Sequence, residues 1–78
     1  MTFKELVEKY EAALIEVKKI YNYNLNCFEE FEASEEKDDL GRRVTFIAVL
    51  NENKNSVEWV QRIVNDLKRV QEGEKQNA

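Results

Sequence analysis

The chain has 78 residues, of which 16 are acidic and 12 are basic, so its formal net charge is −4. It contains no histidine, no proline and a single cysteine, Cys27. This length predicts one small domain, residues 1–78. An intrachain disulfide, a cysteine–histidine zinc site and a histidine-based catalytic triad are all excluded. We therefore expect a protein that is not an enzyme and that has no cofactor.

The chain carries no sign of a targeting or membrane segment. Charged residues alternate from the start, with no apolar run typical of a signal peptide. The longest apolar run is residues 46–50, whereas a membrane span needs about 18 residues. One unpaired cysteine is typical of a reducing compartment. We expect a cytoplasmic protein that does not bind membranes.

A regular spacing of apolar residues runs through the first half of the chain. Thr2 followed by Glu5 forms a capping-box pattern, which predicts the start of a helix. The apolar residues then recur every three or four positions, which predicts one amphipathic helix over about residues 2–33. They are Phe3, Val7, Tyr10, Leu14, Val17, Tyr21, Phe28 and Phe31, with Asn24 as the polar exception. A second row widens this stripe: Leu6, Ala13, Ile20 and Cys27.

The second half predicts another helix. Residues 34–39 form an acidic turn in which Asp38 or Asp39 can cap the helix. The helix is predicted over about residues 39–72, because Gly73 can terminate it, and residues 73–78 are expected to be a frayed tail. One row is predicted to face the first helix: Phe46, Val49, Asn53, Ser56, Val60, Ile63, Leu67 and Val70.

These patterns favour an all-α fold, an antiparallel helical hairpin. Two alternatives stay open, because residues 44–50 are rich in residues that favour strands and residues 51–56 resemble a loop. The second helix could be broken near 51–56. Alternatively, residues 27–33 and 44–50 could pair as strands in an α-β-β-α arrangement.

In this hairpin an apolar row on the second helix has little to cover it. Leu50, Val57 and Val64 would meet mostly charged residues of the first helix, where only Leu25 is apolar. Each exposed aliphatic side chain forgoes about 1.5–3 kcal/mol of burial. We therefore predict that these four residues bind a partner, and that a second copy forms a homodimeric four-helix bundle. Trp59, on another edge, covers Ala13 or anchors a partner.

Two polar features accompany this pattern. Asn24, Asn53, Ser56 and Tyr21 fall at one level of the hairpin, where they predict a hydrogen-bonded layer that fixes the alignment of the helices. A polar pocket or hinge is the alternative.

The acidic residues are concentrated at the turn. Residues 29–39 contain seven acids and only Lys37 as a base, so their net charge is −6. A solvated loop explains such a cluster, and docking on a basic protein surface is the functional alternative. No EF-hand spacing is present, so we do not expect a metal site. The seven acids, which we name the acidic tip, are Glu29, Glu30, Glu32, Glu35, Glu36, Asp38 and Asp39.

The functional class that these features favour is a small protein-interaction module, a regulator or inhibitor of a larger protein. Compact acidic proteins of this kind include those carried by phages and mobile elements. An assembly subunit or chaperone acting through self-association is the first alternative. The second is a nucleic-acid-binding hairpin dimer, although the net negative charge makes nucleic acid an unfavoured partner. The basic residues that would contact nucleic acid are Lys4, Lys18, Lys19, Arg62, Lys68 and Arg69.

Overall fold

Two long helices joined by a short turn form the structure. The computed structural model describes residues 1–77, with side-chain detail for residues 1–73. Helix α1 spans Phe3–Glu32 and helix α2 spans Leu40–Asn77. The two helices pack against each other along a rod of 61 × 18 × 14 Å. The predicted all-α helical hairpin is therefore confirmed.

The predicted caps are present at the start of both helices. The Thr2 hydroxyl accepts a hydrogen bond from the Glu5 backbone N–H, at 3.1 Å. Asp39, rather than Asp38, caps α2, because its carboxylate accepts from the Arg42 N–H at 3.1 Å. Each cap satisfies a backbone donor that has no partner within the helix.

Helix α2 continues through the segment in which a break or a strand was a possibility. The described residues contain no strand, and residues 51–56 lie inside the helix. Both the broken helix and the α-β-β-α arrangement are therefore wrong. The strand propensity of residues 44–50 is overridden because helical spacing brings Phe46 and Leu50 together on the side that faces α1.

The C-terminal end of α2 lies beyond the predicted position. The helix runs to Asn77, past the expected end at Gly73, and so covers most of the segment predicted to be frayed. Gly73 does not adopt the positive φ angle of a left-handed cap. A glycine inside a helix costs about 1 kcal/mol, which is too little to stop it here. The last predicted tail residue, Ala78, lies outside the described residues.

The seam between the helices differs from the predicted one on α2. Leu50 and Val57 are half-buried and Val64 is only 2% exposed, whereas Val49 and Val70 of the predicted seam are exposed. Helix α2 is thus rotated about its axis relative to the prediction. The observed column places Leu50, Val57 and Val64 toward α1. The predicted column also holds three aliphatic residues, but it would in addition turn the Ser56 hydroxyl into the seam, where it would need a hydrogen-bond partner.

The buried core is small and lies along this seam. Leu14 of α1 packs with Val60 and Val64 of α2, and four half-buried residues surround them. The buried apolar residues among those described are Val7, Leu14, Phe31, Val60 and Val64.

One polar pair interrupts the seam near its middle. The Asn24 side-chain amide donates to the Asn53 side-chain oxygen at 2.6 Å, in a partly buried position. This bond lies where the polar layer was predicted. Ser56, which was expected in the same layer, is exposed, and Tyr21 is half-buried.

Candidate protein-interaction surface

One long side of the hairpin is charged. On it Glu11 pairs with Lys68 at 3.8 Å, and Glu32 pairs with Arg43 at 3.3 Å. These side chains are substantially exposed, so each pair adds little to stability. We call this side the charged edge. It also carries Lys4, Lys18 and Lys54, together with three uncharged residues, Leu25, Ile47 and Gln61.

The opposite side has no charged residue at four positions of each helix, spaced seven residues apart, which makes eight positions in all. Each of these residues directly precedes a seam residue, and in antiparallel helices such positions meet on the same side. Ile20 and Val70 are about half exposed, and Val49 is 36% exposed. We call this side the apolar edge. Its residues lie at four levels of the hairpin. From the turn to the open end these are Cys27 and Val49, Ile20 and Ser56, Ala13 and Ile63, and Leu6 and Val70.

Large aromatic side chains border the apolar edge. Trp59 is 62% exposed and lies on α2 between the levels of Ser56 and Ile63. Tyr23 of α1 is 69% exposed near Ile20. A tryptophan left open to solvent beside an uncharged row is typical of a binding anchor.

The apolar row predicted to bind a partner is therefore in a different place. Leu50, Val57 and Val64 belong to the seam, where Val64 is almost fully covered by α1. Leu25 is half-buried and follows Asn24 on the charged edge. Of the predicted set, Trp59 alone lies beside the apolar edge.

Two open grooves lie at the turn end of the apolar edge. The larger has a volume of about 350 Å³ and the smaller about 260 Å³. Arg42 and Phe46 line both grooves, and Cys27, which is half-buried, lines the smaller one. The rest of the larger groove is formed by Asn24, Gly41, Thr45 and Val49.

An aromatic cluster holds the turn end together. Phe31 lies 5.2 Å from Phe46 and 6.3 Å from Phe28, measured between ring centroids. The guanidinium of Arg43 lies over Phe31 at 5.6 Å and over Phe28 at 5.9 Å. The same guanidinium donates to the Lys37 carbonyl at 2.9 Å, so it links the turn to the cluster.

Three of the acidic-tip carboxylates have structural partners. Glu36 pairs with Arg42, Glu32 pairs with Arg43, and Asp39 caps α2. Four others are exposed and form no ion pair within the described part of the chain: Glu29, Glu30, Glu35 and Asp38.

The charge of the whole chain is concentrated at this end. Residues 29–43 include the two neutralising arginines and carry seven acids and three bases, a net charge of −4. This equals the net charge of the full chain, so the remaining residues are neutral overall. Among the described residues, no three carboxylate or thiol groups come close enough to hold a metal ion.

The basic residues considered for nucleic-acid binding are interleaved with acids. Lys19 lies 3.6 Å from Glu16, measured between the ammonium nitrogen and a carboxylate oxygen. Lys68 pairs with Glu11, and the Arg69 guanidinium lies 3.8 Å from Asp66. These pairs break the continuous positive surface that phosphate binding favours.

The apolar edge and the acidic tip are thus the two distinctive surfaces of the hairpin. Neither helix, over the residues described, has a stretch long and apolar enough to cross a bilayer. Comparison with known protein families, with curated proteins and with solved structures finds no match to this chain.

Proposed function

We propose that this protein is a small non-enzymatic interaction module that binds protein through its apolar edge. The observation that supports this is the uncharged row of eight residues along one side of a hairpin whose other side is charged. A hairpin that needed no partner would gain solubility from charges on both sides. The single cysteine on this edge is consistent with a role in the cytoplasm.

The acidic tip gives this module a second contact. Four of its carboxylates are exposed and form no ion pair among the described residues, so they can meet a basic surface without first breaking an internal bond. Such a charge patch accelerates encounter and selects the partner more than it adds affinity. We propose that the module regulates or inhibits a larger protein with a basic surface.

A charge placed on the apolar edge is expected to weaken binding. Ile20→Glu puts a carboxylate into the contact, where burial without a partner is costly. Ile15→Glu is the matched control, because Ile15 is 55% exposed on the side of α1 that carries Glu11 and Lys18, away from the apolar edge, while Ile20 is 51% exposed. Affinity for the protein that the wild-type chain captures in its host should fall at least about tenfold with Ile20→Glu alone.

Titration of that captured protein with all three chains measures the difference. Helix content by circular dichroism establishes that each variant is folded. Equal affinity for the Ile20→Glu and Ile15→Glu chains would show that the apolar edge is not the binding surface.

Neutralising the unpaired tip carboxylates is expected to slow association. The variant carries Glu29→Gln, Glu30→Gln, Glu35→Gln and Asp38→Asn, which leaves the three structural acids in place. The control neutralises four exposed acids that lie off the tip and off the apolar edge, Glu5, Glu8, Glu58 and Glu72. The tip variant should lower the association rate at low salt and flatten its salt dependence. If both variants bind at the same rate, the acidic tip is only a solvated turn.

A further inference from the structure

We infer that the occupant of the apolar edge is a second copy of this chain, packed turn to open end in an antiparallel four-helix bundle. This inference rests on the proposed function, because it names the partner of the same edge. Four arguments carry it: the surface of the hairpin, the size of the flat side, the placement of charge and the order of residues along the edge.

The hairpin alone exposes more surface than a compact protein of its mass. Its accessible area is 6139 Å², whereas a compact monomer of 9.3 kDa exposes about 5,000 Å². Its radius of gyration is 17.7 Å, against about 12 Å for a compact chain of this length. A chain this extended buries few side chains by itself, and association is a common way to complete such a core.

One flat side of the hairpin has the area that a stable dimer needs. The rod is 61 Å long and 18 Å wide, so one side covers about 1,100 Å², while a standard interface buries about 800 Å² from each partner. The apolar edge runs along about half the length of this side, roughly 31 Å from Leu6 to Cys27 on α1. Two hairpins packed through it would form a four-helix bundle.

The charge distribution sets the orientation of the two copies. Residues 29–39 carry a net charge of −6 and lie at one end of the rod. Packing turn to turn would bring two such ends together, and the like charges would repel. Packing turn to open end separates them by nearly the 61 Å length of the rod. The antiparallel arrangement is therefore favoured.

The order of residues along the apolar edge fits this arrangement. A two-fold axis at the middle of the edge places α1 against α1 of the second copy, and α2 against its α2. Ala13 then meets Ile20 of the second copy, and Ser56 meets Ile63 of the second copy. Each contact joins a small side chain to a large one, as close packing between helices requires. Leu6 meets Cys27 of the second copy at the ends.

Trp59 lies close to the proposed axis. It falls midway between Ser56 and Ile63 along α2 and borders the apolar edge, so the two copies bring their tryptophans close together where the axis leaves one side of the interface. Tryptophan is enriched among the residues that dominate binding energy. Its present exposure of 62% would fall on association.

A cysteine pair tests the arrangement directly. In Leu6→Cys, the new thiol should form a disulfide with the natural Cys27 of the second copy. The two positions are 21 residues apart on one straight helix, or roughly 31 Å, so no disulfide can form within a chain. Mild oxidation should therefore convert most of the Leu6→Cys protein into a covalent dimer. The same variant with Cys27→Ser should lose that product.

A second pair makes the result independent of Leu6. Val49→Cys with Val70→Cys, in a Cys27→Ser background, should also give a covalent dimer, because these positions meet across the α2 pair. Sedimentation of the wild-type chain should show a dimer, and Trp59 fluorescence should shift to shorter wavelength as dimer forms. A wild-type monomer at high micromolar concentration, with no crosslinking of either cysteine pair, would overturn the inference.

The outcomes also separate this inference from the proposed function. If the chain is monomeric and uncrosslinked, but Ile20→Glu still weakens binding to a different protein, the second copy is wrong and the interaction module stands. If the chain dimerises but the dimer is unaffected by Ile20→Glu, the copies meet through another surface and the inference is wrong. If Ile20→Glu abolishes both the dimer and the crosslink, the inference is supported.

Discussion

Replacing Leu14 by alanine is expected to lower the free energy of unfolding by about 2–4 kcal/mol. Leu14 is 9% exposed and packs directly against Val60 and Val64, at the centre of the buried cluster. Removing its side chain takes away apolar burial and leaves a cavity that two straight helices cannot easily close. In a domain of this size the melting temperature should fall by roughly 10–25 °C.

The adjacent residue provides a matched control. Ile15→Ala removes a comparable amount of hydrocarbon from the same turn of the same helix, but Ile15 is 55% exposed. Its cost should stay within about 0.5 kcal/mol. Thermal unfolding of both variants by circular dichroism, at one protein concentration, gives the comparison. Equal losses for Leu14→Ala and Ile15→Ala would contradict the observed seam.

The first helix was predictable because all of its seam residues except Asn24 are aromatic or large aliphatic, whereas its second row includes the smaller Ala13 and Cys27. Apolar residues of α1 recur at three- and four-residue spacing from Phe3 to Phe31, so one stripe dominates. Thr2 marks the start with a cap that the structure confirms. The predicted bounds, about 2–33, lie within one residue of the observed Phe3–Glu32.

The rotation of α2 was not predictable in the same way. Residues seven positions apart line up as a column along the helix surface, and three neighbouring columns of α2 carry aliphatic residues. Either adjacent pair of these columns could have faced α1. One column holds Val49, Ile63 and Val70, and another holds Leu50, Val57 and Val64. Helical periodicity does not separate such neighbours, because both lie on one broad stripe. Packing against α1 decides between them.

This ambiguity bears on the candidate surface. The sequence correctly suggests that α2 has more apolar columns than one partner helix can cover, and the structure identifies which column is left over. Val49 and Val70 are exposed, while Val64 is buried. The matching residues of α1, such as Ile20, were visible as a second row, but their role depended on the rotation of α2. The structure therefore has an uncovered apolar row on α2, as predicted, but it is formed by different residues from the predicted ones.

The aromatic cluster packs the acidic end against both helices. Phe31 is buried against Phe46, and Arg43 lies over the rings while pairing with Glu32. The arginine thus offsets part of the local negative charge and joins the turn to both helices. A fixed position for the exposed carboxylates would favour selective docking on a basic surface, since less order has to be imposed on binding.

The partly buried asparagine pair gives the last prediction. Asn24→Leu alone leaves the Asn53 amide without its 2.6 Å hydrogen bond, which should cost about 1–2 kcal/mol of stability. The converse single variant, Asn53→Leu, should behave alike. Replacing both asparagines by leucine removes the unsatisfied group and adds apolar burial, so the double variant should be more stable than the wild type by about 1–2 kcal/mol.

Chemical unfolding of the wild type, both single variants and the double variant closes a double-mutant cycle, with an expected coupling of about 3–6 kcal/mol, the sum of the two single losses and the gain of the double variant. The gain in stability should come with a loss of alignment, because a leucine pair tolerates slipped helices that a lone hydrogen-bonded pair rejects. Two-dimensional NMR of the double variant should then show additional or broadened amide peaks. If either single variant is as stable as the wild type, water satisfies the remaining amide. The pair would then line an open polar pocket instead of fixing the alignment of the helices.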